Sequence, residues 1–160
     1  MKIDYSRLIP IDTIEGEDPE ETEQLHGLYV RAEDFIESFK WCAKINKAYF
    51  GIGAADIIAV FLFEIVPTSK NIDPLLWVIV GDIPPAYLVT DGAPNPACAL
   101  DSYIGEMNKW VDAVLAGESI SDLIPVNAPP TTENANGLKK RLEFLDKEIL
   151  SGYSNDLRLP

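Results

Sequence analysis

The sequence has few of the residues that enzymes use as nucleophiles, general bases and metal ligands. Its 160 residues include one histidine, His26, and two cysteines, Cys42 and Cys98. A Ser-His-Asp or Cys-His mechanism would depend on His26, yet no serine or cysteine lies in a nucleophile motif such as G-x-S-x-G. Zinc sites need several Cys and His residues at close spacing, and here these residues are scattered. We therefore predict no catalytic residue, no metal and no cofactor, and we expect a non-enzymatic protein.

Basic residues are also few. Lysine and arginine total 13 against 26 aspartates and glutamates, which gives a formal net charge of -13 at pH 7. Nucleic-acid-binding proteins present a positive surface to phosphate, so this balance argues against that class. The same excess of negative charge favours attraction to a basic protein partner.

Long hydrophobic runs are absent from the sequence. The longest apolar run, Ile57–Phe63, is far shorter than the about 20 residues that a transmembrane helix needs. The first residues, MKIDYSRLIP, lack the apolar region of a secretory signal. Cys42 and Cys98 then predict buried thiols in a reducing compartment rather than a disulfide. We expect a cytoplasmic protein that does not contact membranes.

Residues 1–30 differ from the rest of the chain in charge. The stretch from residue 12 to residue 23 has no basic residue and carries these acidic ones: Asp12, Glu15, Glu17, Asp18, Glu20, Glu21 and Glu23. Like charges at this density repel each other, so we predict an acidic N-terminal arm at 1–30, mostly loop, ahead of a single domain at 31–160. A short helical turn after Pro19 is compatible with this prediction. The acidic residues at 17, 18, 20 and 21 are candidate contacts for a basic partner.

The rest of the pattern predicts an α+β fold. Apolar residues at helical spacing predict a first helix over 31–49, and IIAVFLFEIV, residues 57–66, predicts a central strand that is apolar on both faces. Strands over 75–81 and 86–90 follow. We predict that residues 82–85 form the loop between them, because the two prolines cannot donate ladder hydrogen bonds. Connections this short favour antiparallel neighbours.

Two helices are predicted after the sheet. Asn95 and Pro96 form an N-cap and first-turn pair for a second helix, which ends near Ala116, before Gly117. Leucines at helical spacing predict a third helix over 132–150. The predicted architecture is a three-stranded antiparallel meander with one helix before it and two helices after it, packed on the sheet.

Further candidate contacts come from the predicted hairpin and from aromatic residues outside the apolar stripes. Asp82 and Asp91 bound the hairpin, where a double proline restricts the loop, so their carboxylates are offered to arginine or lysine of a partner. The alternative is that both residues only stabilise turns. Trp41 and Phe144 lie off the stripes of their predicted helices, where each either covers the sheet from another side or anchors an interface.

Part of the sequence resembles other proteins. The run LWVIVGDIPPAYLVTDGA, followed by ACALDSYIGEMNKWVDAVLAGES, resembles uncharacterised small acidic bacterial proteins that pair a sheet hairpin with an amphipathic helix. This resemblance covers residues 60–120 and carries no catalytic residue, so it implies no mechanism. In size, acidity and lack of catalytic motifs the chain is also similar to immunity proteins that neutralise bacterial toxins, which implies a basic toxin domain as partner.

These observations favour a non-enzymatic protein that binds another protein. Its most concrete form is an immunity protein whose acidic surface occludes a basic toxin domain. Two alternatives stay open at this point. A small metal-dependent hydrolase would use the carboxylates of Glu64, Asp82 and Asp91, and a structural or regulatory subunit would form a homo-oligomer.

Overall fold

A five-stranded antiparallel sheet with helices on both faces organises the chain, in a computed structural model that describes residues 2–157. The strands are neighbours in chain order: β1 (Ile9–Pro10), β2 (Cys42–Ala54), β3 (Ile58–Pro67), β4 (Leu75–Gly81) and β5 (Ile83–Val89). The predicted α+β class and antiparallel pairing are confirmed. The predicted count of three strands is wrong, because β1 and β2 extend the sheet on one side.

The helices form a layer on each face of the sheet. Helix α1 (Pro19–Glu37) covers one face and helix α2 (Pro96–Ala116) covers the other, while helix α3 (Thr132–Phe144) packs mainly against α2. Short helical segments complete the chain: Tyr5–Arg7, Ile11–Thr13, Leu145–Ile149, Leu150–Tyr153 and α4 (Ser154–Leu157). Within residues 2–157, no helix is long and apolar enough to cross a membrane.

Strand β3 is central, as its sequence predicts. It pairs with β2 on one side and with β4 on the other. Alternate side chains enter opposite cores, so Phe61 and Phe63 pack on the α1 side whereas Val60 and Leu62 pack on the α2 side. Burial on both faces explains why this strand is apolar without alternation.

The first helix is the largest error of the sequence-based prediction. The interval 31–49 does not form one helix, because α1 ends at Glu37 and β2 begins at Cys42. The helix instead starts inside the acidic segment, where Pro19 occupies the first turn and the Asp18 carboxylate accepts a hydrogen bond from the Glu21 backbone N–H at 2.8 Å.

The buried stripe of α1 explains why acidic residues did not prevent a helix. Leu25, Leu28, Ala32 and Ile36 lie on one face of α1 and join the core on that side of the sheet. The predicted loop content of the acidic segment is therefore wrong from residue 19 onward. The division of the chain into an arm at 1–30 and a domain at 31–160 stays a prediction.

Strand β2 does not show a regular alternation in its sequence. Its pairing with β3 shifts register between Cys42 and Lys44, between Ile45 and Lys47, and again after Phe50. Each irregularity of this kind changes the face to which the following side chains point. The apolar residues of β2 consequently fall at spacings that imitate a helix.

The double proline lies in a strand and not in a loop. Pro84 and Pro85 belong to β5, and Asp82 alone connects β4 to β5. Because β5 is an edge strand, one row of its backbone groups has no partner strand within the described residues, and proline is tolerated there. The predicted hairpin itself is confirmed by the antiparallel pairing of β4 with β5.

The predicted caps of α2 are confirmed. The Asn95 side chain accepts a hydrogen bond from the Cys98 N–H at 2.9 Å, and Gly117 ends the helix in the left-handed conformation with φ +72°. The third helix begins at Thr132 as predicted, but its regular α-helical part ends at Phe144 instead of residue 150.

Candidate functional site

An aromatic cluster lies at the surface where α1 ends. It consists of Phe35, Phe39, Trp41 and Tyr87. Phe39 is at its centre, because its ring centroid lies 4.9 Å from that of Trp41, 5.1 Å from that of Tyr87 and 5.2 Å from that of Phe35. None of the four rings is fully buried, and Tyr87 is 36% exposed. The cluster therefore presents aromatic surface to solvent.

Three separate elements supply these rings. Phe35 is in the last turn of α1, Phe39 and Trp41 are in the turn that leads to β2, and Tyr87 projects from the edge strand β5. The Trp41 carbonyl also accepts a hydrogen bond from the Thr68 N–H at 2.9 Å, which ties this turn to the end of β3. Trp41 is one of the contacts predicted from the sequence, whereas Phe35, Phe39 and Tyr87 are not among them.

A groove, here called the β5 groove, runs beside the aromatic cluster and encloses about 590 Å³. One wall is Phe35, Ser38 and Phe39, and the floor comes from Pro85–Tyr87 of β5. The other wall is residues 124–127 of the connector between α2 and α3. Because β5 is the edge of the sheet among residues 2–157, the groove also borders backbone that has no partner strand in this part of the chain.

Several carboxylates lie close in sequence to the residues that line the β5 groove. Asp34 lies one helical turn before Ser38, and Asp122 lies two residues before the connector wall; both are exposed. Asp82 precedes β5 and Asp91 follows it, so these two predicted contacts lie beyond opposite ends of a strand about 23 Å long. Lys40, which follows Phe39, is the basic residue nearest in sequence to the residues that line the groove.

The predicted acidic contacts at the start of α1 divide into two kinds. Asp18 and Glu21 both cap the start of α1: the Asp18 carboxylate accepts a hydrogen bond from the Glu21 N–H, and the Glu21 carboxylate accepts one from the Glu17 N–H at 2.9 Å, one residue before the N-cap. The other Glu21 oxygen accepts one from the Ala55 N–H at 3.1 Å. Glu17 and Glu20 are exposed, and their carboxylates have no hydrogen bond within the described residues.

The predicted contacts do not form one patch. Glu21 and Asp82 both bind the turn between β2 and β3, at Ala55 and at the Ile57 carbonyl respectively. Trp41 and Asp91 lie at the opposite end of the sheet. The groove beside β5 lies between Asp82 and Asp91, whereas the acidic start of α1 is a separate surface.

Asp82 is already engaged within the chain. Its carboxylate accepts a hydrogen bond from the Arg141 Nε at 3.2 Å, in an ion pair whose side chains are 74% and 50% exposed. An ion pair this exposed contributes little to stability. Asp82 therefore remains accessible to a partner. The ion pair also shows that α3, which carries Arg141, lies next to the β4–β5 hairpin.

Two of the carboxylates of the alternative hydrolase hypothesis, Glu64 and Asp82, lie far apart. Register places Glu64 beside Leu75, whereas Asp82 follows the far end of β4, about 23 Å along the strand. Within residues 2–157, no group of three or more His, Cys, Asp or Glu side chains is placed to hold a metal ion. His26 is exposed on α1.

Both cysteines are buried, free thiols. Burial raises the pKa of Cys42 and of Cys98 above the ordinary value of a thiol. A raised pKa keeps a thiol protonated and weakly nucleophilic, so neither residue has the environment of an activated cysteine.

Comparison with known protein families, with characterised proteins and with solved structures finds no match to this chain.

Proposed function

We propose that this chain is a non-enzymatic protein-binding protein, and that the β5 groove with its aromatic cluster is its contact surface for a basic protein. The observation that carries the proposal is the set of four partly exposed rings beside an apolar groove. Aromatic residues are enriched at the hot spots of protein interfaces, where burial of their surface slows dissociation.

The charge of the molecule supports a basic partner. The net charge is -13, and the exposed residues Asp34, Asp82, Asp91 and Asp122 lie within a few residues of the groove lining in the sequence. Carboxylates at the rim of an interface accelerate association with a positive surface and discriminate against acidic competitors. In this proposal, Glu17 and Glu20 add to the long-range field, while Asp18 and Glu21 mainly hold the start of α1.

The specific form that we propose is an immunity protein that occludes a basic bacterial toxin domain in the cytoplasm. Its support is the acidic charge together with two unpaired, buried thiols, which suit a reducing compartment. Occlusion of a toxin domain needs a contact surface and does not need a catalytic group. The separation of Glu64 from Asp82 and the exposure of His26 are compatible with this role.

Substitution of Tyr87 tests the contact surface. The wild-type chain and Tyr87→Ala are used as baits at low salt, and a basic protein captured by the wild type is purified for calorimetric titration. We expect Tyr87→Ala to weaken binding at least about tenfold, because a clustered interface ring is lost. The matched control is Tyr5→Ala, which removes an exposed ring at the opposite edge of the sheet and should change affinity less than about twofold.

The two levels of the proposal fail in different ways. Equal losses in Tyr87→Ala and Tyr5→Ala would contradict the β5 groove as the contact surface. Capture of an acidic partner would contradict the charge argument. If expression of the partner is not toxic, or if the wild-type chain fails to relieve its toxicity, the immunity hypothesis is contradicted. The broader proposal of a protein-binding protein is unaffected by that result.

A further inference from the structure

Two cavities lie side by side where α3 meets the β4–β5 hairpin. They enclose about 310 and 440 Å³, and Asp82, Ile83 and Arg141 line both. Because they share these residues, the two cavities are lobes of one cleft, here called the α3 cleft. The Asp82–Arg141 ion pair lies between the lobes.

The walls of the α3 cleft are mainly apolar. The larger lobe is lined by Ile57, Phe144 and Leu145, and the smaller one by Trp110 and Leu138 among others. Phe144 is 43% exposed, although aromatic side chains usually bury most of their surface. The larger lobe therefore offers apolar surface that a ligand would cover.

The cleft is also a cationic site on an acidic molecule. Lys140 and Arg141 line the larger lobe together with Asp82, so the local charge is about +1 while the whole chain carries -13. Arg141 makes two hydrogen bonds within the described residues, from Nε to Asp82 and from an Nη to the Gly137 carbonyl. A guanidinium group has five N–H donors, so several are available to an anion.

A helical glycine keeps the larger lobe open. Gly137 lies inside α3 and lines the lobe, and a Cβ added there would meet only the Arg141 guanidinium at 3.4 Å. Glycine in a helix interior is less favourable than alanine or leucine. Space for a larger and more helix-favouring side chain is thus left unfilled beside two cationic groups.

We propose that the α3 cleft binds a small apolar carboxylate. Arg141 and Lys140 hold the carboxylate, and the surface of Ile57, Phe144 and Leu145 holds the apolar part. Asp82 orients the Arg141 side chain through the ion pair. The larger lobe, which holds the proposed ligand, is separate from the β5 groove, because the two have no lining residue in common. Val126 lines both the smaller lobe and the groove.

Octanoate is the probe for this site, with octanol and butyrate as controls that lack the carboxylate or most of the apolar chain. In an NMR titration of the full chain, octanoate should shift the amide signals of Gly137 and Asp82 and saturate. We expect octanol and butyrate to bind at least about tenfold more weakly, since each lacks one of the two recognised groups.

Two variants test the recognition. Arg141→Gln removes the main cation, and Gly137→Leu fills the larger lobe without changing charge; each should weaken octanoate binding at least about tenfold. Gly105→Leu is the matched control, because Gly105 is an exposed glycine of α2 with no atom within 4 Å of an added Cβ. Circular dichroism melts establish that each variant folds.

Several results would overturn the proposal. If octanol bound as tightly as octanoate, the proposed recognition of the carboxylate by Arg141 and Lys140 would be contradicted. Unchanged octanoate affinity in Gly137→Leu, or amide shifts confined to another surface, would remove the α3 cleft as the location. The absence of saturable binding below millimolar octanoate would reject the site altogether.

Discussion

At the scale of single residues, a buried tyrosine joins helix α2 to the edge of the sheet. Tyr103 of α2 is fully buried, and its hydroxyl donates a hydrogen bond to the Pro84 carbonyl at 2.6 Å. Pro84 lies in β5, so this bond fixes the strand that forms the floor of the β5 groove. The proline also cannot supply an N–H, which makes its carbonyl the only backbone group that can anchor it.

Ionisation of Tyr103 should make the protein sensitive to alkali. Burial raises the pKa of Tyr103 well above the ordinary tyrosine value near 10. The folded state therefore holds this proton more tightly than the unfolded chain does. The stabilisation that comes from keeping Tyr103 protonated is complete below about pH 10. As the pH rises further, the free energy of unfolding falls by about 1.4 kcal/mol per pH unit. Burial likewise raises the pKa of Tyr29, with a further contribution from its hydrogen bond to Glu33.

Tyr103→Phe tests this expectation. The variant should lose about 1 kcal/mol at neutral pH, because the Pro84 carbonyl loses its donor. Above pH 10 its free energy of unfolding should fall less steeply than that of the wild type. Urea unfolding at a series of pH values measures both effects, and equal alkaline slopes in the two proteins would contradict the argument.

At the scale of elements, the β4–β5 hairpin depends on one glycine. Gly81 has φ +150°, and an ideal Cβ there would lie 2.2 Å from the Ile57 carbonyl oxygen. That oxygen accepts the hydrogen bond of the Asp82 N–H at 2.9 Å, and the Gly81 carbonyl accepts one from Arg31 of α1 at 3.1 Å. The close approach of the two backbones thus connects the hairpin, the β2–β3 turn and α1.

Gly81→Ala should therefore destabilise the protein by more than about 2 kcal/mol, because the backbone must move away from Ile57. Gly92→Ala is the matched control: Gly92 also has a positive φ, of +75°, but no atom lies within 4 Å of an added Cβ. We expect this control to cost about 1 kcal/mol, from the left-handed conformation alone. Denaturant unfolding compares the two, and similar losses would show that the close contact is relieved without cost.

At the scale of the whole molecule, the acidic segment contributes both charge and packing. Ile14 is 4% exposed and belongs to the core on the α1 side of the sheet. Asp18 caps α1, and Glu21 connects it to the β2–β3 turn. The segment that like-charge repulsion predicts to be loop is thus held by apolar burial and by hydrogen bonds that its carboxylates accept.

Deletion of residues 12–23 should lower the free energy of unfolding by about 3 kcal/mol or more, since a cap and a buried isoleucine are lost together. A loss of about 3 kcal/mol corresponds to a decrease in Tm of about 6–12 °C for a chain of this size. The control replaces the exposed glutamates 15, 17, 20 and 23 with glutamine, which removes charge and keeps the packing. Thermal melts should show little change in the control, and a melting temperature that survives the deletion would contradict the packing role.

The candidate site shows how far local sequence patterns reach. Trp41 stands out because a large ring lies outside an apolar stripe, and Asp82 and Asp91 stand out because they bound a hairpin. Phe35 falls among the apolar residues at helical spacing in the predicted first helix, and Tyr87 lies about 50 residues further along the chain. The contact of Tyr87 with Phe39 depends on how α1 crosses the sheet, which no local pattern specifies.

The sequence by itself determined β3, β4, the caps of α2 and the antiparallel α+β class, because these depend on interactions between residues near each other in the chain. Only the tertiary structure decided the start of α1, the strand character of β2 and the inclusion of Pro84 and Pro85 in β5. In α1, burial of apolar residues against the sheet outweighs charge repulsion, and in β2 the register shifts hide the alternation of apolar residues. In β5, the edge position removes the hydrogen-bond requirement that excludes proline from a central strand. Each of these outcomes is set by neighbours distant in sequence.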